Sequence, residues 1–325
     1  MTITQLDYVL AVAEYKNFTK AAKSVFVTQP TLSMQIQKLE EELSISIFDR
    51  GKKPIQPTEV GKKIIEQAKN IVIESNRIQD IIDQEKGFIG GEFNIGIIPT
   101  IMPTLLPMFL NNFTKKYPKV KLNIEELHTE AIIEGLEDGH LDAAIAATPL
   151  EKNSLKERPL YYEPFVAYIP SGHRLHKNKK VQVDELDIDD ILLLEDGHCF
   201  RQGIINLCDS NRDRVKNKFQ LQTGSFETVI KLANENMGMT LLPYLHTLDI
   251  DHTHQNNLRM FSKPVPAREV SLIYSQSELK MQIIDALHSV ISGVVRGAIA
   301  FQNVDIISPL EKEKQNSSGI KTRTA

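Results

Sequence analysis

The sequence has only two cysteines, no tryptophan and, within its 325 residues, no run of about 18 apolar positions. Without such a run we expect no membrane-spanning helix, and the first residues lack the charged start and apolar core of a secretory signal. The net charge of −4 excludes a wholly basic nucleic-acid coat, so any contact with DNA has to use a local surface. We therefore expect a soluble, cytoplasmic protein without a membrane partner. A permanent structural disulfide is unusual in that compartment.

The composition that remains is ordinary for a globular protein, with 41% hydrophobic and 25% charged residues. A chain of 325 residues exceeds the usual size of one domain, so two or three domains are expected. The sequence shows no internal repeat and no cofactor-binding motif. We accordingly expect neither a cofactor nor a resident metal.

The two cysteines, Cys199 and Cys208, lie nine positions apart in a segment that is typical of a short helix beginning near His198. Nine helical residues rise about 13–14 Å and turn the two sulfurs toward opposite faces. A disulfide requires Cα atoms within about 7 Å of each other, so the thiols can pair only if the helix unwinds. This conflict favours a redox switch over a permanent bond. Inert buried thiols, or a zinc site with His198, are the alternatives, although zinc would lack a fourth ligand.

Cys199 is the better candidate for the attacking thiol. It lies between His198 and Arg201, in the expected first turn of the helix. Cationic neighbours and helix N-termini lower the pKa of a thiol, and the thiolate is the reactive form. Cys208 has no basic neighbour in sequence, which suits a resolving thiol.

Residues 1–58 indicate a helical N-terminal domain. A short helix over 19–26 and a third helix over 30–43 are separated by a tight turn, as in a helix-turn-helix. The apolar stripe of the third helix, which we interpret as core, consists of Leu32, Ile36, Leu39 and Leu43. Its polar face carries short hydroxyls and amides, which suit base edges and phosphates in a DNA major groove. The same pattern is also typical of a face that is merely solvated.

Residues 59–86 are predicted to form one linker helix. Six positions recur in alternating steps of four and three, the heptad pattern of a coiled-coil seam, namely Ile64, Ala68, Ile71, Ser75, Ile78 and Ile82. A seam on a helix between two domains indicates a contact with a second copy of the chain. A helix that packs on the core of its own domain would show the same pattern.

The remaining chain, residues 91–301, is predicted to be α/β because strand-like and helix-like segments alternate. Such alternation predicts a parallel sheet that binds ligands at the carboxyl ends of its strands. The chain enters a second lobe and returns, which gives two crossovers as in a periplasmic-binding-protein-like domain. We assign 91–162 and 268–301 to the first lobe and 163–267 to the second.

Individual strands of the second lobe are predicted at 164–169, 190–194 and 215–221. Residues 302–325 read as a polar tail, and disorder is expected over 311–325. The predicted fold is thus a winged helix-turn-helix, a linker helix and a two-lobed α/β regulatory domain.

Three N-terminal stretches carry a resemblance to a known family: 18–33 (FTKAAKSVFVTQPTLS), 36–50 with its IQKLE and LSISIFDR segments, and 57–61 (PTEVG). Together they resemble, nearly end to end, the DNA-binding signature of the LysR-type transcriptional regulators. The resemblance implies a non-enzymatic regulator that binds double-stranded promoter DNA as a homodimer or homotetramer and works with RNA polymerase. The resemblance and the polar face together give as DNA contacts Thr28, Gln29, Pro30, Thr31, Ser33, Gln35, Lys38, Arg50 and Lys52.

The C-terminal part resembles the peroxide-sensing members of that family, through IPT at 98–100, GHC at 197–199, SFET at 225–228 and PAR at 266–268. The resemblance implies activation of an oxidative-stress response by hydrogen peroxide through a reversible disulfide. It further implies that a glutaredoxin-like or thioredoxin-like protein reduces that bond again. The roles it implies are a peroxidatic Cys199, a resolving Cys208, and a peroxide pocket formed by Thr100, Thr129, His198 and Arg268.

Two other functions remain open. The C-terminal half could sense a small organic ligand, with both cysteines inert. Alternatively the chain could be a thiol peroxidase without DNA binding, although the helix-turn-helix and the heptad linker argue against this. Thr100 and Thr129 by themselves also suit helix N-caps or loops. One departure from the family pattern is Asn236, where glycine is usual. Since asparagine tolerates a positive φ, we expect the turn to survive.

Overall fold

The computed structural model describes residues 1–85, 89–208, 223–299 and 304–310. Its contacts divide the chain into two units, Met1–Phe88 and Ile89–Ala325. None of the helices in the described ranges is long and apolar enough to cross a membrane.

Three helices form the core of the N-terminal unit: α1 (Ile3–Tyr15), α2 (Phe18–Ser24) and α3 (Gln29–Leu43). Each begins after a short polar side chain that accepts a backbone N–H of the first turn, which is the usual way to start a helix. These capping residues are Thr2, Asn17 and Thr28. The predicted helix-turn-helix is therefore present, and three positions of the predicted stripe are fully buried, namely Leu32, Ile36 and Leu39.

The ends of α2 and α3 differ from the prediction. Leu43 was assigned to the core stripe but is 36% exposed, because α3 ends there and Ser44 turns the chain into the left-handed region. Phe26 was assigned to the second helix but lies in the turn, with a φ of 56° and an almost fully exposed ring. Sequence periodicity locates a helix better than it locates the last residue of that helix.

A short hairpin follows α3. Its strands β1 (Phe48–Asp49) and β2 (Gln56–Pro57) pair in antiparallel fashion. Glu40 on α3 ties this hairpin to the helix, because its Oε1 accepts the backbone N–H of Ile47 at 2.7 Å and of Phe48 at 3.1 Å. The hairpin is the wing predicted from the sequence.

The long helix α4 (Glu59–Glu85) follows the wing and packs on α1. Ala68 is buried in the core of the N-terminal unit and Ile64 packs against that core. The first half of the predicted seam therefore packs inside the N-terminal unit. This corrects the prediction that the whole seam contacts a second copy of the chain. Later seam positions stay open, since Ile71 is 37% and Ile78 is 61% exposed.

The C-terminal unit contains, in chain order, β3 (Gly91–Ile97), α5 (Met102–Lys116), β4 (Val120–Glu126), α6 (Thr129–Glu137), β5 (Ala143–Thr148), β6 (Leu155–Tyr168), β7 (Lys180–Val181), α7 (Cys199–Leu207), α8 (Phe226–Asn234), β8 (Thr240–Pro243), α9 (Tyr244–Thr247), β9 (Leu258–Phe261), β10 (Val265–Ser275), α10 (Met281–Val295) and β11 (Val304–Ile306). Its strands follow the order β4-β3-β5-β10-β6-β9-β7, with β11 beside β10 and β8 beside β6. β3 is parallel to β4 and β5, whereas β10 is antiparallel to β5 and β6. The sheet is mixed rather than purely parallel.

Two long strands carry the chain between two lobes. Tyr161 in β6 and Val270 in β10 belong to a first apolar core, which α5, α6 and α10 cover. Phe165 in β6 and Val265 in β10 belong to a second core, which includes side chains of α7 and α8. Both crossovers expected from the sequence are present, and the unit has the predicted two-lobed α/β fold.

Two strand predictions are corrected. Residues 190–194 do not form a strand; within them Ile191 makes one isolated parallel bridge, to Met239. The strand predicted at 164–169 is the end of the longer β6, whose first half mixes buried, half-buried and exposed positions without a regular alternation. The strand predicted at 215–221 lies outside the described residues.

The stretch predicted to be a polar tail contains a strand. β11 pairs in parallel with β10, with Val304 opposite Val265 and Ile306 opposite Ala267. A three-residue edge strand has too little periodicity to stand out from a polar sequence. The disorder expected over 311–325 concerns residues outside the described ranges.

The turn at Asn236 is retained, as expected. Asn236 has a φ of 57°, and its Oδ1 accepts the backbone N–H of Gly172 at 2.9 Å. A Cβ at Gly172 would lie 2.5 Å from that oxygen. The amide side chain therefore adds a hydrogen bond that a glycine at position 236 would lack.

Candidate functional site

The helix α7 carries both cysteines, as predicted. It begins at Cys199, ends at Leu207 and has Cys208 as its C-cap. The turn into the helix passes through Gly197, whose φ of 89° lies in the left-handed region that favours glycine. Both thiols are free. Helix geometry separates their Cα atoms by about 13–14 Å, about twice the reach of a disulfide.

The two thiols face different lobes. Cys199 packs against the first apolar core, together with residues of β5 and α6. Cys208 packs against the second core, on the lobe that α7 itself belongs to. The predicted orientation toward opposite helix faces thus places each sulfur among different neighbours, and pairing them requires α7 to unwind.

The Cys199 thiol is enclosed at the start of α7. Thr129, the first residue of α6, interacts with the sulfur, and its buried Oγ1 has no other partner among the described residues. Burial raises the pKa of the Cys199 thiol above its usual value, while Arg268, Thr129 and the backbone of Ala147 lower it in part. The net upward shift corrects the lowered pKa expected from the helix N-terminus.

Arg201 does not serve as the cation beside Cys199. Its Nε lies 2.9 Å from Asp196 Oδ1, and its Nη1 donates to the Leu194 carbonyl at 3.0 Å. The guanidinium therefore braces the segment that precedes α7. The cation that acts on the thiol is Arg268, which lies far away in sequence on β10.

Arg268 is buried where the two lobes meet, and its ion pair, hydrogen bonds and ring contact fix the position of its guanidinium. Its Nη2 lies 2.7 Å from Glu163 Oε2, and its Nη1 donates to Thr100 Oγ1 at 2.9 Å. The guanidinium also lies 5.1 Å above the ring of Phe200. Glu163 in turn accepts the backbone N–H of Leu245 at 2.9 Å. A buried charge needs this degree of pairing, since an isolated one is strongly unfavourable.

His198, the N-cap of α7, lines a cleft of about 480 Å³ between the lobes. The imidazole of His198 is buried. Its ring centroid lies 4.7 Å from the ring centroid of His128, and its Nε2 lies 3.6 Å from Glu195 Oε1. Burial, with the neighbouring His128, lowers the pKa of His198, so the ring is neutral at neutral pH. Other side chains that line the cleft are Thr100, Thr104, Glu126, Ser225, Phe226, Glu227 and His246.

Cys208 is a weakly acidic thiol in this structure. Burial, aided by the charge of Asp187, raises its pKa to about 12. At neutral pH the thiol is therefore fully protonated where it stands. The thiolate needed for disulfide formation becomes available only when Cys208 leaves this surrounding.

The predicted DNA-contact residues lie on α3 and the wing of the N-terminal unit. Thr28, Gln29 and Pro30 are exposed at the start of α3, as is Lys38 further along. Three others are half-buried, namely Thr31, Ser33 and Gln35. Thr28 Oγ1 and Thr31 Oγ1 are 2.8 Å apart, and Gln35 Oε1 accepts the Nε2 of Gln5 at 3.3 Å.

The predicted phosphate contacts come from the wing. Arg50 donates through Nη2 to Glu40 Oε2 at 2.9 Å and through Nη1 to Ser33 Oγ at 3.3 Å, so it is fixed beside α3. Lys52 is exposed and lies 3.9 Å from Asp49. The structure thus places Arg50 of the wing beside Ser33 of α3.

Sequence reasoning missed several residues around Cys199 and His198. Glu163 and Phe200 hold Arg268, and His128 and Glu195 surround His198. His128, Glu195 and Phe200 lie within a few positions of a predicted residue, and Glu163 lies inside β6, but nothing in their own sequence neighbourhoods marks them. Only the fold brings β6, β10 and α7 together.

Two family models match the chain. "Bacterial regulatory helix-turn-helix protein, lysR family" matches residues 3–62, and "LysR substrate binding domain" matches residues 86–294. A hydrogen peroxide-inducible genes activator of Haemophilus influenzae is 30% identical over 92% of this chain and 99% of its own length. The dual transcriptional regulator OxyR of Escherichia coli is 31% identical over 84% of this chain and 89% of its own length.

Solved structures agree with these matches. Full-length OxyR from Pseudomonas aeruginosa, in a cysteine variant, has a TM-score of 0.72 at 30% identity and covers 90% of this chain and 98% of its own. A peroxide-bound OxyR mutant of Corynebacterium glutamicum has a TM-score of 0.61 at 27% identity, covering 94% and 98%. The chain belongs to the LysR family of DNA-binding transcription regulators, as one of its OxyR-type members.

Proposed function

We propose that this protein is a hydrogen-peroxide-sensing transcription activator, located in the cytoplasm, whose switch is a reversible disulfide between Cys199 and Cys208. The observation that carries the proposal is the surrounding of Cys199, a thiol enclosed with a free hydroxyl and a buried guanidinium on the helix that also bears Cys208. The names of two similar relatives, both hydrogen peroxide-inducible genes activators, support the same response.

The chemistry begins at the sulfur of Cys199. Its thiolate attacks one peroxide oxygen, the O–O bond breaks, and the departing hydroxide takes up a proton to leave as water. The product is a sulfenic acid on Cys199. Arg268 stabilises the negative charge that develops on the sulfur and oxygen, and Thr129, with its otherwise unpaired hydroxyl, holds the peroxide by hydrogen bonding. Thr100 and His198 complete the polar wall of this pocket.

The second step joins the two sulfurs. The Cys208 sulfur attacks the sulfenic sulfur, the S–O bond breaks and a second water leaves, so two thiols are oxidised and one peroxide is reduced to two waters. A dithiol protein of the glutaredoxin or thioredoxin type then takes over the oxidising equivalent by thiol–disulfide exchange and restores both thiols.

Unwinding of α7 links this chemistry to the rest of the molecule. The two sulfurs face separate cores, so the bond removes at least one of them from its lobe and replaces helix by a different local structure. A local order–disorder change of this kind can shift an interface between subunits. In this way oxidation changes the arrangement of subunits in the promoter-bound homodimer or homotetramer, and with it the surface that RNA polymerase contacts.

The test is mass spectrometry of the full-length protein after treatment with one equivalent of peroxide, together with transcription from its promoter. Wild type should show a Cys199–Cys208 peptide and increased transcription. Cys199→Ser should show neither, and Cys208→Ser should stop at a sulfenic acid with a weaker response. A Cys199→Ser protein that responds normally would contradict the proposal and favour the sensing of a small organic ligand.

A further inference from the structure

Three potential metal ligands converge on the cleft between the lobes. His128 precedes α6, Glu195 precedes the turn into α7, and His198 caps α7. One ligand atom from each residue lies within 4.8 Å of the other two. Zinc bonds of about 2.0–2.2 Å place ligand atoms up to about 4 Å apart. Small rotations of the exposed His128 and the half-exposed Glu195 close the remaining distance.

The ring of His198 gives a second, independent indication that a ligand binds here. Its Nε2 is buried, has no hydrogen-bond partner in the described part of the chain, and stands just beyond hydrogen-bond distance from Glu195. Leaving a buried polar atom without a partner is unfavourable. A bound ion would provide the partner that this nitrogen lacks.

The backbone at Gly224 keeps the space beside these ligands open. A Cβ at this position would lie 2.7 Å from His198 Nε2 and 3.4 Å from Glu195 Oε1. Any larger residue would therefore press on the nitrogen and the carboxylate at once. The glycine leaves room for an ion between them.

The charge of the cleft suits a cation. Glu126 and Glu227 line it as well as Glu195, and no lysine or arginine of the described ranges is part of its lining.

We propose that His128, Glu195 and His198 bind one divalent transition-metal ion of the zinc class, with water in a fourth position facing the cleft. Two imidazoles and one carboxylate form a donor set that zinc uses when one position stays open. Imidazole nitrogen disfavours magnesium and calcium, which prefer oxygen donors only. Neither cysteine is a ligand, so the reduced protein can bind the ion without either thiol.

The test uses untagged, reduced, full-length protein that has been treated with a chelator and is then titrated with Zn²⁺ by calorimetry. Cobalt(II) serves as a second probe, because its visible spectrum shows whether sulfur is bound. Wild type should bind one ion in this cleft with nitrogen and oxygen donors. His128→Ala should weaken binding by more than about tenfold, a loss that even outer-shell changes can cause.

Two control variants make the result specific. His252→Ala removes an exposed histidine away from the cleft and should bind like wild type. The double variant Cys199→Ser, Cys208→Ser should also bind normally while losing its response to peroxide. His128→Ala should fold, since its exposed side chain makes no capping hydrogen bond. Absence of zinc binding in wild type, unchanged binding in His128→Ala, or loss of binding in the double serine variant would overturn the proposal.

Discussion

At the scale of single residues, the two thiols differ from free cysteine in the same direction but for different reasons. Burial outweighs the charge of Arg268 at Cys199, whereas at Cys208 burial and the charge of Asp187 act together. A reactive thiol that is protonated at rest reacts only through its small thiolate fraction. The surroundings that stabilise this fraction then set the rate.

The first prediction is a pH dependence. Because the pKa of Cys199 is raised, its rate of oxidation should climb about tenfold per pH unit across the neutral range, without the plateau near pH 7 that a strongly acidic thiol would show. Thr129→Val removes a group that lowers this pKa and should slow the reaction at every pH. Stopped-flow kinetics with peroxide measure both effects, and Thr114→Val on the exposed side of α5 is the control.

The same shifts predict how stability varies with pH. A folded thiol with a raised pKa holds its proton more tightly than the unfolded one. Its contribution to stability is therefore complete below the usual thiol pKa of about 8.5 and is lost as the pH rises above it. The free energy of unfolding of reduced wild type should fall between pH 8.5 and 10 more steeply than that of Cys208→Ser.

The residues around Cys199 show what a sequence can predict. Cys199, Thr100 and Arg268 were assigned through their resemblance to a family, since each stands in a short recognisable motif. Glu163 has no such motif, yet it is the counter-ion of Arg268. A lone glutamate at the start of an apolar stretch is far more often exposed than buried. Its role follows only from the register that places Glu163 opposite Arg268 on β6 and β10.

At the scale of secondary-structure elements, the proposed disulfide switch requires an α7 that is stable enough to keep the thiols apart and weak enough to unwind. Gly203 lies in the middle of this helix, and a Cβ there would meet Phe165 at 3.5 Å, an ordinary contact. Gly203→Ala should therefore fit and stabilise the helix by about 1 kcal/mol. Formation of the disulfide should become about fivefold less favourable relative to the reduced state.

The measurement is the redox equilibrium of the Cys199–Cys208 pair in glutathione buffers, with hydrogen exchange across α7. Gly293→Ala on α10 is a matched control, because its Cβ meets nothing within 4 Å and it lies far along the chain from both thiols. Equal equilibria for Gly203→Ala and Gly293→Ala would mean that α7 does not unwind on oxidation.

The strand β11 connects the C-terminal segment to the same helix. Asn206 on α7 donates through Nδ2 to the carbonyls of Ser308 at 2.9 Å and of Leu310 at 2.7 Å. Asn206→Ala should cost about 1–3 kcal/mol and loosen the segment from the second lobe. Limited proteolysis should then cut near 304–310 in reduced Asn206→Ala. Wild type should become sensitive to the protease there only after oxidation. Equal cleavage of reduced and oxidised wild type would contradict a link between the redox state and the attachment of residues 304–310 to α7.

At the scale of the whole molecule, the N-terminal unit has two kinds of DNA contact to test. Gln29 is exposed at the start of α3 and Lys52 is exposed on the wing. Gln29→Ala should lose about 1–3 kcal/mol on the specific site alone if it reads a base. Lys52→Ala should weaken specific and random DNA alike and reduce the salt slope by about one. Titrations at several salt concentrations separate the two, and identical behaviour of both variants would contradict the assignment.

The linker helix shows why periodicity alone could not settle the assembly. The pattern from Ile64 to Ile82 is continuous in sequence, yet Ala68 is buried in the N-terminal core while Ile78 is largely exposed. A heptad pattern reports only that one helix face is apolar. Whether that apolar face packs against the same chain or against a second copy depends on tertiary packing, which changes along α4.

The exposed half of α4 therefore carries the last prediction. Ile78→Asp should leave the fold of each unit intact, since Ile78 is exposed, but would place an unpaired charge in the proposed apolar contact between two copies. Light scattering should show a smaller species than wild type. Promoter affinity should fall sharply, because two recognition helices bind tightly only while they are tethered. Asn70→Asp introduces the same charge at an exposed polar position of α4 and should change neither property. An Ile78→Asp protein of unchanged size would place the contact between copies on the C-terminal unit instead.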